Sequence, residues 1–565
     1  MKRLFPLVAC AALAIASFAD PWDDERNALL GKLKDPDAKK RVAAVRALKE
    51  HRTPRGVDFL VEMYLAEKDP AVADALGDVA GGVIDGEGRA RFFQHCRGGR
   101  TPAERAKIVA ILGRGGYRDT YDVLKALFKD PAPEIRAAAL SASRDGRFQG
   151  IEPAVRDALG DKEAAVRAAA AGALQAFRLF ESAEALIAAL EKEKDKAATD
   201  AIQAALAAVS GQPMGADAAG WKNWLEVQKG VRVGQGAVDN ALDRAGKFLV
   251  TWREAHPYAV TDDSVALELY AMVHAGVAMD NKVLQSAIAT LYKAPLEKTY
   301  RVALGAMALF DISPSIHQPW LARAGAFLVY NHLENGFWDY GDPIPGDTPS
   351  LAPPALTGAK AEMGGGTKAL KKVPIGKLPK KKAGTWWDLS NTQYAVLGLR
   401  ACAEAQVDIP KENWTRAMNA LKGWQQPEGG FAYNSLNKNA YGSIHTSGLG
   451  AYIVARYYAG HGDKRDGVID KGIEWLGANF SASDNPLSVD TRLWLYYYYY
   501  GMERVGVLAN TEFFGKHEWY QEGARYLLSQ QKPDGSWGDW KLRDTSWAIL
   551  FLRKATRPVG KIEDK

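Results

Sequence analysis

The strongest constraint on this chain is a change of rhythm: two helical repeat systems follow one another. Residues 28–210 repeat a short phrase, a turn carrying Asp or Asp-Pro followed by a helix of Ala, Val and Arg. Lys34-Asp35-Pro36 leads into Arg41-Val42-Ala43-Ala44-Val45-Arg46, Lys129-Asp130-Pro131 into Ile135-Arg136-Ala137-Ala138, and Asp161 into Val166-Arg167-Ala168-Ala169. Asp35 and Asp69 are 34 residues apart and Asp130 and Asp161 are 31 apart, a period that holds one helix pair and is too short for a domain. Asp caps free backbone N–H groups, Pro suits a first helical turn, and Ala lets neighbouring helices stack closely. From about residue 235 the period lengthens and aromatic residues become frequent. Six segments there open polar and then run apolar, beginning at Thr261, Thr299, Asp388, His445, Asp490 and Asp544. Their spacing is 38 to 57 residues once a 45-residue insert at 340–384 is set aside. Amphipathic helices, for example at 237–252, 414–425, 467–479 and 519–530, alternate with them. Six such pairs predict a closed ring, so the fold class is all-α.

The first array resembles HEAT repeats, which implies an α-superhelix over 20–215, joined by a linker at 216–235 to the ring. Stacks of this kind present a surface to a protein partner or serve as a passive spacer, and both readings stand.

The loops of the second array carry a sharper pattern. Gln425-Gln426-Pro427-Glu428-Gly429-Gly430-Phe431 and Gln530-Gln531-Lys532-Pro533-Asp534-Gly535-Ser536-Trp537 share an order of Gln, turn, Gly and aromatic, and 331–338 is a weaker copy. They resemble the QW repeats of the prenyltransferase and squalene-cyclase superfamily, which implies an α6/α6 toroid over 236–557 with a tail at 558–565. Asp388 to Tyr394, Met502 to Val505 and Asp544 to Leu552 look like segments of exported bacterial proteins that carry these repeats. Glutamine bonds helix-end backbone, glycine turns the chain and the aromatic packs on the next helix, so the motif reports architecture and not chemistry.

In such a toroid the inner helices run the same way and gather their N-termini at one mouth. Asp263, Arg301, Asn391, Gln393, His445, Asp490, Arg492 and Asp544 are expected to ring it, beside helix dipoles that favour anions. They either bind a ligand or cap helices; Arg301, Arg492, His445 and Gln393 cap poorly, which favours a ligand there. Class II terpene cyclases use Asp-x-Asp-Asp, and the match here is Val260-Thr261-Asp262-Asp263. Asp262 takes the place of the proton donor and Asp263 of the final aspartate, with Val260 where the first acid belongs. A degenerate cyclase is therefore one alternative. A toroid polysaccharide lyase is another, with Asp490 and Arg492, or Asp263 and Arg301, as the acid or base and the uronate-neutralising arginine. The Asp-x-Cys zinc pair of protein prenyltransferases and the Cys-Gly-Glu-Gln run of thioester domains are both missing, so no metal or cofactor is expected. The run Tyr496–Tyr500 turns rings in every direction, toward the lumen or into packing. The leading expectation is a non-catalytic scaffold, with a protein partner on the HEAT-like surface and a small hydrophobic, peptide or glycan ligand at the toroid mouth.

The start of the chain reads as an export signal over 1–19: Met1-Lys2-Arg3, an apolar run from Leu4 to Ala16, then Ser17-Phe18-Ala19. The destination expected is periplasmic or extracellular. Leu7-Val8-Ala9-Cys10 mimics a lipoprotein box, but the apolar run continues past Cys10, which disfavours an anchor there. With 73 basic against 67 acidic residues, mostly interleaved, obligate nucleic-acid binding is excluded, and Cys96 and Cys402 lie too far apart in sequence to imply a disulfide framework. The insert at 340–384, rich in Pro, Gly and Lys, reads as a lid, a basic arm or a solvated loop.

Overall fold

The computed structural model describes residues 21–48, 52–83, 86–212, 214–347, 351–354, 356, 360–379, 386–490 and 493–560. The segment 1–19 expected to be an export signal, with Cys10, lies outside them, as does Arg492. The chain is all-α: among the described residues the strands are two-residue pairs, Val373–Pro374 with Val407–Asp408 and Phe513–Phe514 with His517–Glu518. Among the described residues no helix is long and apolar enough to cross a membrane. Contacts divide the chain into two compact units, one of the described residues up to Ala176 with Glu193–Ile202, the other of Phe177–Lys192 and the described residues from Gln203 onward.

In the first unit, helices start where the repeat phrase places them. Asp37, Thr53, Asp69 and Thr101 accept backbone N–H groups as N-caps, and Pro54, Pro70, Pro102 and Pro133 open helices. At three of these turns the arginine six residues after the aspartate ties one repeat to the next. Arg41 donates to the Asp35 carbonyl at 2.9 Å and pairs with Asp69 at 3.4 Å. Arg136 repeats this with the Asp130 carbonyl at 2.9 Å and both Asp161 oxygens at 2.7 Å. Arg167 does so with the Asp161 carbonyl at 2.8 Å and both Glu193 oxygens at 2.6 Å. Side-chain periodicity stacks the helices, and this guanidinium ladder fixes their register.

The second unit contains twelve ring helices: α1 (Gln235–Ala255), α2 (Val265–Ala275), α3 (Lys282–Lys293), α4 (Thr299–Ile312), α5 (Pro314–Tyr330), α6 (Leu389–Glu404), α7 (Lys411–Trp424), α8 (Gly442–Arg456), α9 (Gly467–Asn479), α10 (Leu495–Leu508), α11 (Trp519–Gln530) and α12 (Lys541–Arg553). Each even-numbered helix packs on the next even one, and α12 returns to α2, so these six close an inner ring. The inner helices are buried nearly all round, as in α8, whose residues from Gly442 to Ala455 are all buried. A helix apolar on every side belongs inside, whereas the amphipathic odd-numbered helices form the outer layer.

The glutamine loops lock the outer layer. Gln425 Nε2 donates to the Gly429 carbonyl at 3.0 Å and to Val468 of α9 at 2.8 Å. Gln531, and not its neighbour Gln530, repeats this with Gly535 at 3.0 Å and Ala241 of α1 at 2.9 Å. Gly429 and Gly535 have φ of +96° and +88°, and each rests on backbone of the following outer helix. The aromatics Trp338, Phe431 and Trp537 that close the loops are fully buried.

Among its described residues the insert is not a free loop: its first residue, Tyr340, stands at the polar mouth, and later ones are pinned to the ring elsewhere. Glu362 and Met363 donate their N–H groups to the Ile312 and Asp311 carbonyls at 2.9 and 2.7 Å, and Val373 N–H donates to Gln406 O at 2.9 Å. Carbonyls at the C-terminal end of α4 lack helical partners. Pairing them holds this part of the insert against the end of the ring opposite the mouth.

Candidate functional site

The first turns of the six inner helices surround a cavity of about 500 Å³. Eight aromatic residues line it: Tyr300, Tyr340, Tyr394, Tyr433, Tyr441, Trp494, Tyr497 and Trp547. Asp263, Asp388, Asn391, Arg543 and three serines add polar groups, while Leu267, Leu304 and Ile444 supply aliphatic wall. The size lies within the roughly 300–1,000 Å³ of small-molecule sites.

The floor is a hydrogen-bond network. The Tyr497 hydroxyl meets the Gln393 amide N–H, Ser390 at 2.9 Å and Ser447 at 3.3 Å, and the Gln393 carbonyl accepts from Arg504. Arg504 is fully buried with its guanidinium 4.0 Å from the centre of the Tyr500 ring, and its Nε and Nη2 have no hydrogen-bond partner. At the wall, Asp388 caps α6: its oxygens accept from Asn391 N–H at 2.7 Å and from Asn391 Nδ2 at 2.8 Å. Burial pushes the Asp388 carboxyl above its usual range against the pull of those bonds. The buried Asn391 Oδ1 lacks a partner.

Arg543, in the first turn of α12, is stacked among indoles. Its guanidinium carbon lies 3.4, 4.6 and 5.5 Å from the ring centres of Trp540, Trp494 and Trp547. No carboxylate pairs with it among the described residues, its Nε has no partner, and burial lowers its pKa. Stacking holds the guanidinium plane while leaving N–H edges for a planar anion.

Of the described residues among those expected at the mouth, Asp263 and Asn391 line the cavity. Asp263 is held by Lys298 at 2.5 Å, with Arg301 3.8 Å away. Arg301 is buried, donates to the Pro295 carbonyl at 2.8 Å and to Glu297 at 3.0 Å, and is not part of the cavity lining. Asp262 accepts from Ser264 N–H and pairs with Arg253 at 3.0 Å. Gln393 lies in the floor. His445 is buried against Trp475 with a ring separation of 4.3 Å, its Nε2 3.0 Å from the Gly472 carbonyl, and burial pushes its pKa down to about 3. Asp490 accepts from Leu493 N–H at 3.2 Å, and Asp544 from Trp540 N–H at 3.0 Å. Burial raises the Asp544 pKa to about 7. The aspartates thus mostly bind backbone at helix starts. Of the tyrosine run only Tyr497 reaches the cavity wall; Tyr496, Tyr498, Tyr499 and Tyr500 are packed in the ring. The sequence reading missed Arg543 and the tyrosines 300, 340, 394, 433 and 441; aromatic residues beside each polar start were the available signal. Among the described residues no cluster of His, Cys, Asp and Glu is arranged to hold a metal.

No family model matches this chain, and no curated protein matches it. Among solved structures it is similar to Kap121p at 9% identity, with 90% of this chain and 45% of that chain covered and a TM-score of 0.27. Kap95p, in a structure concerning RanGDP, gives 12% identity, 86% and 62% coverage and a TM-score of 0.26. An engineered protein gives 13% identity, 94% and 99% coverage and a TM-score of 0.17. The chain thus spans about 45% of the length of Kap121p. Similarity this low carries no functional argument, and the fold rests on the helix contacts themselves.

Proposed function

We propose that the protein is an exported binding scaffold of the prenyltransferase and squalene-cyclase repeat type, whose toroid mouth takes a small amphipathic ligand and whose HEAT-like array docks a protein partner. The observation that carries this reading is the aromatic and polar cavity of about 500 Å³ at the inner-helix N-termini. The repeat assignment is supported by the matched geometry of the Gln425 and Gln531 loops. Binding rather than cyclisation is supported by Asp262, which is tied to Arg253 at 3.0 Å and to Ser264 and is not among the residues lining the cavity, where a cyclase's proton donor has to face its substrate. A pure hydrocarbon would also leave the cavity's hydroxyls and amide dry, at about 1–3 kcal/mol for each unsatisfied group. Stacked helical repeats present extended surfaces, which supports the partner site.

The test is ligand retention. Small molecules that stay with the folded protein through gel filtration are released by denaturation and identified by mass spectrometry. A species carried by the wild type and lost from Trp547→Ala is expected; identical profiles from both proteins would overturn the assignment of the cavity.

A further inference from the structure

The lining of the mouth cavity narrows the class of ligand. Hydrogen-bonding groups and flat rings together line its wall, so an occupant needs several polar groups and at least one apolar face. A saccharide ring meets both demands, with its C–H face against an aromatic ring and its hydroxyls toward the tyrosine hydroxyls, serines and Asn391. Asn391 Oδ1, buried and without a partner, is an acceptor waiting for such a donor. One side of the mouth is cationic: Arg543 lacks a carboxylate partner among the described residues and is braced over Trp540 and Trp494, which are 41% and 38% exposed. A neutral ligand leaves that partly buried guanidinium uncompensated. A carboxylate satisfies it with two parallel hydrogen bonds.

We propose that the mouth cavity binds an acidic saccharide, with Arg543 receiving the sugar carboxylate and Trp494, Trp547 and Tyr497 offering ring faces to the chain. The inference rests on the mouth being a ligand site, as proposed above, and adds the ligand's chemistry. The positive ends of the inner-helix dipoles reinforce the preference for an anion.

Isothermal titration of the full chain with a galacturonic acid trimer and with the neutral galactose trimer separates the claims. The acidic trimer is expected to bind more tightly by about ten- to a hundredfold, the range of a charge-assisted bidentate pair. Arg543→Gln should abolish the preference, so that the two trimers bind with equal affinity, and Trp547→Ala should weaken both. Circular dichroism confirms that each variant is folded. Equal affinity for the two trimers, with no effect of Arg543→Gln, would overturn the anion preference and leave saccharide binding standing. If neither trimer binds while a retained ligand is still lost from Trp547→Ala, the saccharide class falls and the cavity assignment survives. If neither trimer binds and nothing is retained, both fall.

Discussion

Replacing Gly535 by Ala tests the seam that closes the ring. Gly535 sits between α11 and α12 with φ +88°, and a Cβ placed there lies 2.4 Å from the Arg244 carbonyl of α1. A side-chain-bearing residue pays about 1–2 kcal/mol for a left-handed backbone. The carbonyl contact is to backbone and cannot swing aside, so relief demands a shift of α1 or of the loop, a further ~1–3 kcal/mol of overpacking. The Gln531 bridge to Ala241, 2.9 Å long, spans the same seam and weakens with it. The expected loss is therefore about 2–5 kcal/mol, read from guanidinium unfolding followed by near-ultraviolet circular dichroism. Gly423→Ala is the matched control: this glycine lies within α7 and nothing approaches its Cβ position within 4 Å. That change should stabilise by up to ~1 kcal/mol through helix propensity. If Gly535→Ala shifts stability by less than about 0.5 kcal/mol, the range of a surface substitution, the seam does not hold the ring and the reasoning fails.

Arg136→Ala breaks the ladder of the first unit and strands Asp161, whose side chain is 13% exposed. A loss of about 3 kcal/mol is expected in the unfolding of that unit, and an unchanged midpoint would contradict the ladder. Asp544 has its pKa raised to about 7 from 3.8, so its folded form keeps a proton that the unfolded chain releases. The stability this confers is fully present below about pH 4 and lost as pH rises to about 7; Asp544→Asn should remove that slope, and a difference between the two proteins that does not change with pH would refute it. Incubated with squalene or linear prenyl diphosphates, wild type and Asp262→Asn should both yield no cyclised product. A product from the wild type that vanishes in the variant would restore the cyclase alternative.

Much of the architecture was legible in the chain. The Asp-to-Arg spacing of six residues marks three rungs of the first array, as at Asp130 and Arg136. The polar-to-apolar starts locate all six inner helices to within about five residues, and 467–479 and 519–530 coincide with α9 and α11. The glutamine loops announce the ring because their glycine, glutamine and aromatic act within one loop and its nearest helix. Local geometry of that kind is written in sequence spacing. The contents of the mouth were not. An outer helix shows its buried face as an apolar stripe, but an inner helix is buried on every side and carries no stripe to say which residue faces the lumen. Successive helical residues point about 100° apart. Asn391 therefore lines the cavity while Gln393 sinks into the floor, and Arg543 joins the wall while Asp544 turns to backbone. Tyr340, Tyr433 and Tyr441 reach the site from connecting segments that the closed ring alone brings together. The sequence by itself determined which helices form and which layer each occupies; only closure of the ring fixed their rotation, and with it the chemistry at the mouth.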